Sequence, residues 1–104
     1  MTRRAAPRHT EDGHFVVVGG RRWRATDPAV PEDAAARLRS HLMAARRAVG
    51  GALKSGDAAA ERVARKRVRT AKVALGERGR PPWWEQDDAS RRRRWQEGLR
   101  ALDA

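Results

Sequence analysis

The chain contains no cysteine, isoleucine, asparagine or tyrosine, and its aromatic residues are Phe15 and four tryptophans. Without thiols there is no disulfide framework, no thiol nucleophile and no cysteine-based zinc site, and nothing asks for an oxidising compartment. The cytoplasm is therefore the expected location. The absence of asparagine, with Gln86 and Gln96 as the only side-chain amides, removes most of the groups that read adenine edges. No stretch approaches the length of apolar sequence that crosses a bilayer, about 18 residues or more. The basic start Met1-Thr2-Arg3-Arg4 runs into Ala5-Ala6-Pro7-Arg8-His9, not into the apolar run of an export signal. Neither export nor membrane spanning is expected.

Acidic residues are also scarce. Thirteen of them face 24 basic ones, giving a formal charge of +11 and an isoelectric point near 11.7 in 104 residues. That length fits one small domain, and that charge biases its partners toward nucleic acid, anionic lipid or an acidic protein. Twenty-one of the basic residues are arginine. A guanidinium fork matches phosphate in a way an ammonium does not, although a GC-rich coding bias also favours Arg, Ala, Gly and Pro. Alanine supplies 20 of the hydrophobic residues. Each tryptophan therefore matters more to the core than it would in a large enzyme.

The pattern along the chain predicts a mainly α domain of α+β type. Residues 1–13 mix Arg, His, Pro and acids without periodicity and read as a flexible basic arm whose arginines can touch a polyanion. A single domain follows over 14–104. Phe15-Val16-Val17-Val18, Gly19-Gly20 and Arg21-Arg22-Trp23-Arg24 predict a β-hairpin over 14–25, with Val16 opposite Trp23 and Phe15 opposite Arg24. A helix over 31–53 presents Leu38, Leu42, Ala45, Val49 and Ala52 as a lengthwise seam, and one over 57–75 answers with Ala64, Val68, Ala71 and Leu75. The short Lys54-Ser55-Gly56-Asp57 link makes the two an antiparallel helical hairpin on which the β-hairpin packs. A Pro-Pro-Trp-Trp strap over 80–86 excludes helix. A short helix over 88–102 docks through Trp95, Leu99 and Leu102, with Asp87–Arg91 and Asp88–Arg92 as i, i+4 pairs.

Three blocks carry a resemblance. Gly20-Arg21-Arg22-Trp23-Arg24-Ala25-Thr26-Asp27-Pro28, then Leu42-Met43-Ala44-Ala45-Arg46-Arg47-Ala48-Val49, then Ala71-Lys72-Val73-Ala74-Leu75-Gly76-Glu77-Arg78-Gly79 with Trp83-Trp84-Glu85, together resemble a family of small actinobacterial proteins. These often bear the automatic label "biopolymer transporter Tol". That label implies a membrane anchor or periplasmic domain, which this hydropathy pattern does not supply. The resemblance implies a source group and carries over no functional residue.

The strongest functional feature lies in the second helix. At about 100° per residue, Arg62, Arg65, Lys66, Arg69 and Lys72 fall within a fan of roughly 120°. A cationic ridge thus runs beside the apolar stripe, and Arg39, Arg46 and Arg47 of the first helix join it if those faces meet. Arg21, Arg22 and Arg24 form a second candidate patch. Together these residues predict a non-enzymatic, weakly sequence-specific nucleic-acid-binding accessory protein that contacts phosphates and not base edges. The alternative is a protein-interaction module or homodimer that engages an acidic partner. Trp83 and Trp84, if exposed beside arginines, could stack bases or form a partner-binding patch; as a strap over the helices, at least one belongs to the core, and Trp23, open to the same two readings, is expected to anchor the hairpin. Association with anionic lipid is a third reading. His9, His14 and His41 are too scattered for a metal site, and no cofactor is expected. Ser40, Ser55 and Ser90 lack a nucleophile context, and Gly19-Gly20 and Gly50-Gly51 form no phosphate loop.

Overall fold

A computed structural model describes residues 8–104. It is a small three-stranded antiparallel sheet followed by three helices, in the order β1 (Arg8–His9), β2 (Phe15–Val18), β3 (Arg21–Arg24), α1 (Glu32–Ser55), α2 (Ala58–Ala74), a 3-10 turn (Trp83–Glu85) and α3 (Asp88–Asp103). The sheet order is β1-β2-β3.

Gly19 and Gly20 both take positive φ, 57° and 78°, which suits a tight two-residue hairpin turn. The register follows: Val16 pairs with Trp23 and Phe15 with Arg24. Strand β1 departs from the expected flexible arm. Arg8 and His9 pair with Val17 and Val16, and the link back to β2 is a closed turn. In it Thr10 N–H donates to the Phe15 carbonyl at 2.9 Å, and Asp12 accepts from the Thr10 hydroxyl at 2.6 Å and from His14 N–H at 3.0 Å. Local side-chain caps thus order a segment that has no hydrophobic period. The rest of the expected arm, residues 1–7, lies outside the described residues.

The helical hairpin turns at Gly56, in the left-handed region with φ 68°, and α2 is capped by Asp57, whose carboxylate accepts from Ala60 N–H at 3.0 Å. Its seam is thin. Leu38, Leu42, Ala45 and Ala52 of α1 and Ala64, Ala71 and Leu75 on the α2 side are buried, as are Val30, Ala34, Ala35, Ala74 and Leu102, and Ala25 and Trp83 complete the core. Trp95, Leu99 and Val68 pack on its margin. Gly98 sets how closely α3 approaches α2, since a Cβ there would lie 2.5 Å from the Ala74 Cβ. At its far end α3 is tied down by Asp103, which accepts from Arg37 and His41 of α1, and by Arg67, which donates to the Leu102 carbonyl at 3.0 Å.

Gly50 and Gly51 sit inside α1, with nothing near the position a Cβ would take. Neither packing nor a turn asks for glycine there. Gly51→Ala should therefore stabilise the protein by about 0.5–1 kcal/mol, the helix-propensity difference. Urea denaturation followed by circular dichroism checks this, and an unchanged or lower midpoint would show that the glycine serves a packing role after all.

The sheet meets the helices through the strap. Trp83 is 7% exposed and its indole N–H donates to the Ala25 carbonyl at 2.9 Å. Trp84 is half-buried, stacked on His14 with centroids 4.1 Å apart and planes within 5°, and meets Phe15 edge-on at 5.4 Å. Arg24 adds a hydrogen bond to the Gly79 carbonyl at 2.8 Å. Beneath these contacts lies a buried acid. Asp27, 1% exposed, accepts from Arg91 Nε at 3.0 and 3.1 Å, from Arg94 and from Ala29 N–H at 2.8 Å. Arg91 therefore pairs with Asp27 and not with Asp87, which instead caps α3 by accepting from Ser90 N–H at 2.8 Å. Among the described residues no ion pair joins Asp88 to Arg92 either.

Candidate nucleic-acid interface

The five ridge cations lie along the outward side of α2, where the opposite face is taken by the alanine seam. Arg62, Arg65, Lys66 and Arg69 are exposed, and Lys72 is half-buried. Packing divides the ridge between two grooves. Toward α1, Arg65, Val68 and Lys72 line a groove with Arg46, Val49 and Arg78. Toward α3, Lys66 and Arg69 share a groove with Arg93, Arg94 and Glu97. Arg62 lines neither.

The two sides differ in charge. The α3 side includes the Glu97 carboxylate, whereas four cations and two valines line the α1 side with no acid among them. Lys72 registers this crowding: burial lowers its pKa from the usual lysine value, and the neighbouring Arg78 and Arg46 guanidinium groups lower it further, against a small opposing pull from Glu77. A group so placed gains from a further anion, since Glu77 offsets only part of the positive charge around it. Arg65 is partly satisfied already, since its Nε donates to Glu61 at 2.7 Å one helical turn away. That pair is exposed on the arginine side and costs little to rearrange.

Arg78 is the member that the sequence pattern did not single out. It follows the helix stop at Gly76, where Gly76 N–H donates to the Val73 carbonyl at 3.0 Å and Glu77 N–H to the Lys72 carbonyl at 2.9 Å. This reversal folds the chain back along the last turn of α2 and so carries Arg78 to Lys72. The glycine at that stop, with φ 82°, was the available signal. A side chain there would also collide, because its Cβ would lie 2.8 Å from Asp27 Cβ and 3.1 Å from the Trp83 ring.

The other expected residues distribute as follows. Arg47 is exposed but does not line the α1–α2 groove. Arg24 is turned inward, its guanidinium on the Gly79 carbonyl and 5.7 Å from the Trp84 ring. Arg22 lies 4.3 Å over the Phe15 ring and borders a hollow with Glu11 and Asp12, which offset its charge. Arg21 stacks over Trp23 at 4.6 Å. Trp83 is closed to any partner because a core this poor in large side chains uses it to lock sheet to helices. One face of Trp84 is taken by His14. Trp23 is not the core anchor that the hairpin pattern predicts, being 44% exposed.

Among the described residues no group of histidine and acidic side chains could hold a metal ion, and no helix is long and apolar enough to cross a membrane. Comparison of the chain with protein-family models, curated proteins and solved structures gives no match.

Proposed function

We propose that the protein is a non-enzymatic nucleic-acid-binding accessory protein that grips the phosphate backbone with weak sequence preference. The observation that carries this reading is the acid-free groove of Arg46, Arg65, Lys72 and Arg78 beside the exposed crest of α2. Four cations lining one groove with only Glu61 and Glu77 at its margin leave a net positive charge that favours a polyanion, since each phosphate neutralised releases condensed counterions. Guanidinium groups suit this task because they can take phosphate oxygens in pairs.

The test is fluorescence anisotropy with labelled duplex DNA, single-stranded DNA and structured RNA, titrated from low to physiological salt with heparin as competitor. The protein should bind at about 150 mM salt with a preference among the three. Charge reversal at Arg65, Arg69 and Lys72 should then flatten the salt dependence for duplex by about 2.7 in log–log slope, roughly 0.9 for each phosphate no longer neutralised. Helicity should not change. A triple variant with wild-type affinity and slope would remove α2 from the interface.

A second reading has one observation in its favour. Met43, Leu53 and Val63 are exposed apolar side chains of the helical hairpin, 49%, 56% and 62% accessible, and could meet an acidic protein or a second copy. A discrete dimer in solution without nucleic-acid affinity would decide for it.

A further inference from the structure

The sheet has one face turned to the strap and one on which, among the described residues, Trp23 and Val18 stay exposed. Opposed residues of an antiparallel pair share a face, so the register puts Phe15, Val17, Arg22 and Arg24 on one side and His9, Val16, Val18, Trp23 and Arg21 on the other. Phe15 and Arg24 contact Trp84, which marks the first side as the packed one. On the other side Trp23 is 44% and Val18 51% exposed. An indole left this open, in a chain with so few large apolar side chains, is not explained by folding. Trp23 is available for binding.

We propose that the open sheet face is a stacking platform for an unpaired base of single-stranded nucleic acid, with Trp23 as the plate and Arg21 as its phosphate-side partner. This rests on the nucleic-acid reading above and adds the strand type and the residue that would touch a base. Three features support it. Trp23 offers an exposed aromatic face, and base–aromatic stacking needs no sequence match because every base has one. Arg21 lies over one face of the indole, 4.6 Å from its centroid, so a base stacks on the other face, or replaces the guanidinium as it swings out to a phosphate. No acid occurs in β1, β2 or β3, so the face repels neither phosphate nor base. Charge also argues against a second copy of this chain, since a symmetric sheet-to-sheet contact would bring Arg21 against its own positive neighbours.

The experiment compares a labelled oligothymidine with a duplex of equal length, at physiological salt, for the wild type, Trp23→Thr and Trp23→Phe. Threonine keeps β propensity without a ring, and thermal melts confirm that each variant folds. Trp23→Thr should bind oligothymidine about 5- to 150-fold more weakly, the range expected for one stacked base, while Trp23→Phe keeps most of the affinity and duplex binding is unaltered in both. Unchanged oligothymidine binding by a folded Trp23→Thr overturns the platform while leaving the phosphate-binding reading intact. A wild-type dimer that Trp23→Thr dissociates, with oligothymidine affinity unchanged, overturns it in favour of self-association. Absence of any nucleic-acid binding by the wild type removes both readings together.

Discussion

Asp27→Ala should cost about 3–5 kcal/mol, the usual result of removing one partner from a buried ion pair. Against a total stability of about 5–15 kcal/mol for a domain, this is a large share. The carboxylate is 1% exposed and receives both Arg91 and Arg94, whose side chains are only 17% and 10% accessible, so its removal leaves two poorly hydrated cations facing each other. Replacing Arg91 and Arg94 by methionine in the same variant should recover part of the loss, because the penalty is the unpaired charge and not the missing bond. The pH dependence has a definite sign. Burial raises the Asp27 pKa, but the hydrogen bonds from Arg91, Arg94 and Ala29 N–H outweigh it and hold the carboxyl below its ordinary value of 3.8. A depressed acid contributes stability that is fully present above the unfolded pKa and is lost as pH falls through the folded one. Urea midpoints of the wild type should therefore decline from about pH 4 downward, and the decline should be shallower in Asp27→Ala. A loss under about 1 kcal/mol with an unaltered acid profile would contradict the assignment.

Trp83→Ala should be comparably damaging, about 3–5 kcal/mol for truncating a buried tryptophan. The change removes the indole that fills the space between strap and sheet, leaves the Ala25 carbonyl without its donor, and deletes the surface on which Arg91 lies 5.2 Å from the ring. The expected signature is regional. Amide hydrogens of β2 and β3 should lose protection from exchange while those of α1 and α2 keep most of theirs, because the sheet is held by the strap and the helices are held by their own seam. Trp83→Phe, which keeps much of the ring and loses the N–H, should cost about 1 kcal/mol. If Trp83 instead served a partner, its removal would leave stability untouched and lower only that partner's affinity.

These two residues also show where sequence reasoning reached and where it stopped. The hairpin register, the turn at Gly19-Gly20, the two helical stripes and the acid-capped last helix are written in short-range chemistry, and each is visible within a window of a few residues. Asp27 is not. Beside Pro28 it reads as helix-start chemistry, and its partners lie 64 and 67 residues downstream with no local sign of the contact. The Arg91–Asp87 pairing fails for the same reason, since a buried acid elsewhere outcompetes an exposed one at helical spacing. Trp23 is more instructive. The expected register already puts Phe15 and Trp23 on opposite faces, so both cannot face the core; the choice between them depends on where Trp84 sits. The cationic ridge is legible as a helical fan, while its division into two grooves of different charge requires the positions of α1, α3 and Arg78.

The alanine seam has a thermal consequence. Where two helices meet through methyl groups, as at Ala45, Ala52, Ala64 and Ala71, unfolding exposes little apolar surface for each residue released, and that exposure is what gives unfolding its heat capacity. A small heat-capacity increment flattens the dependence of stability on temperature. The domain's tolerance of heat and cold would then be set less by hydrophobic burial than by the few polar ties, Asp27 foremost, that join the start of the chain to its end.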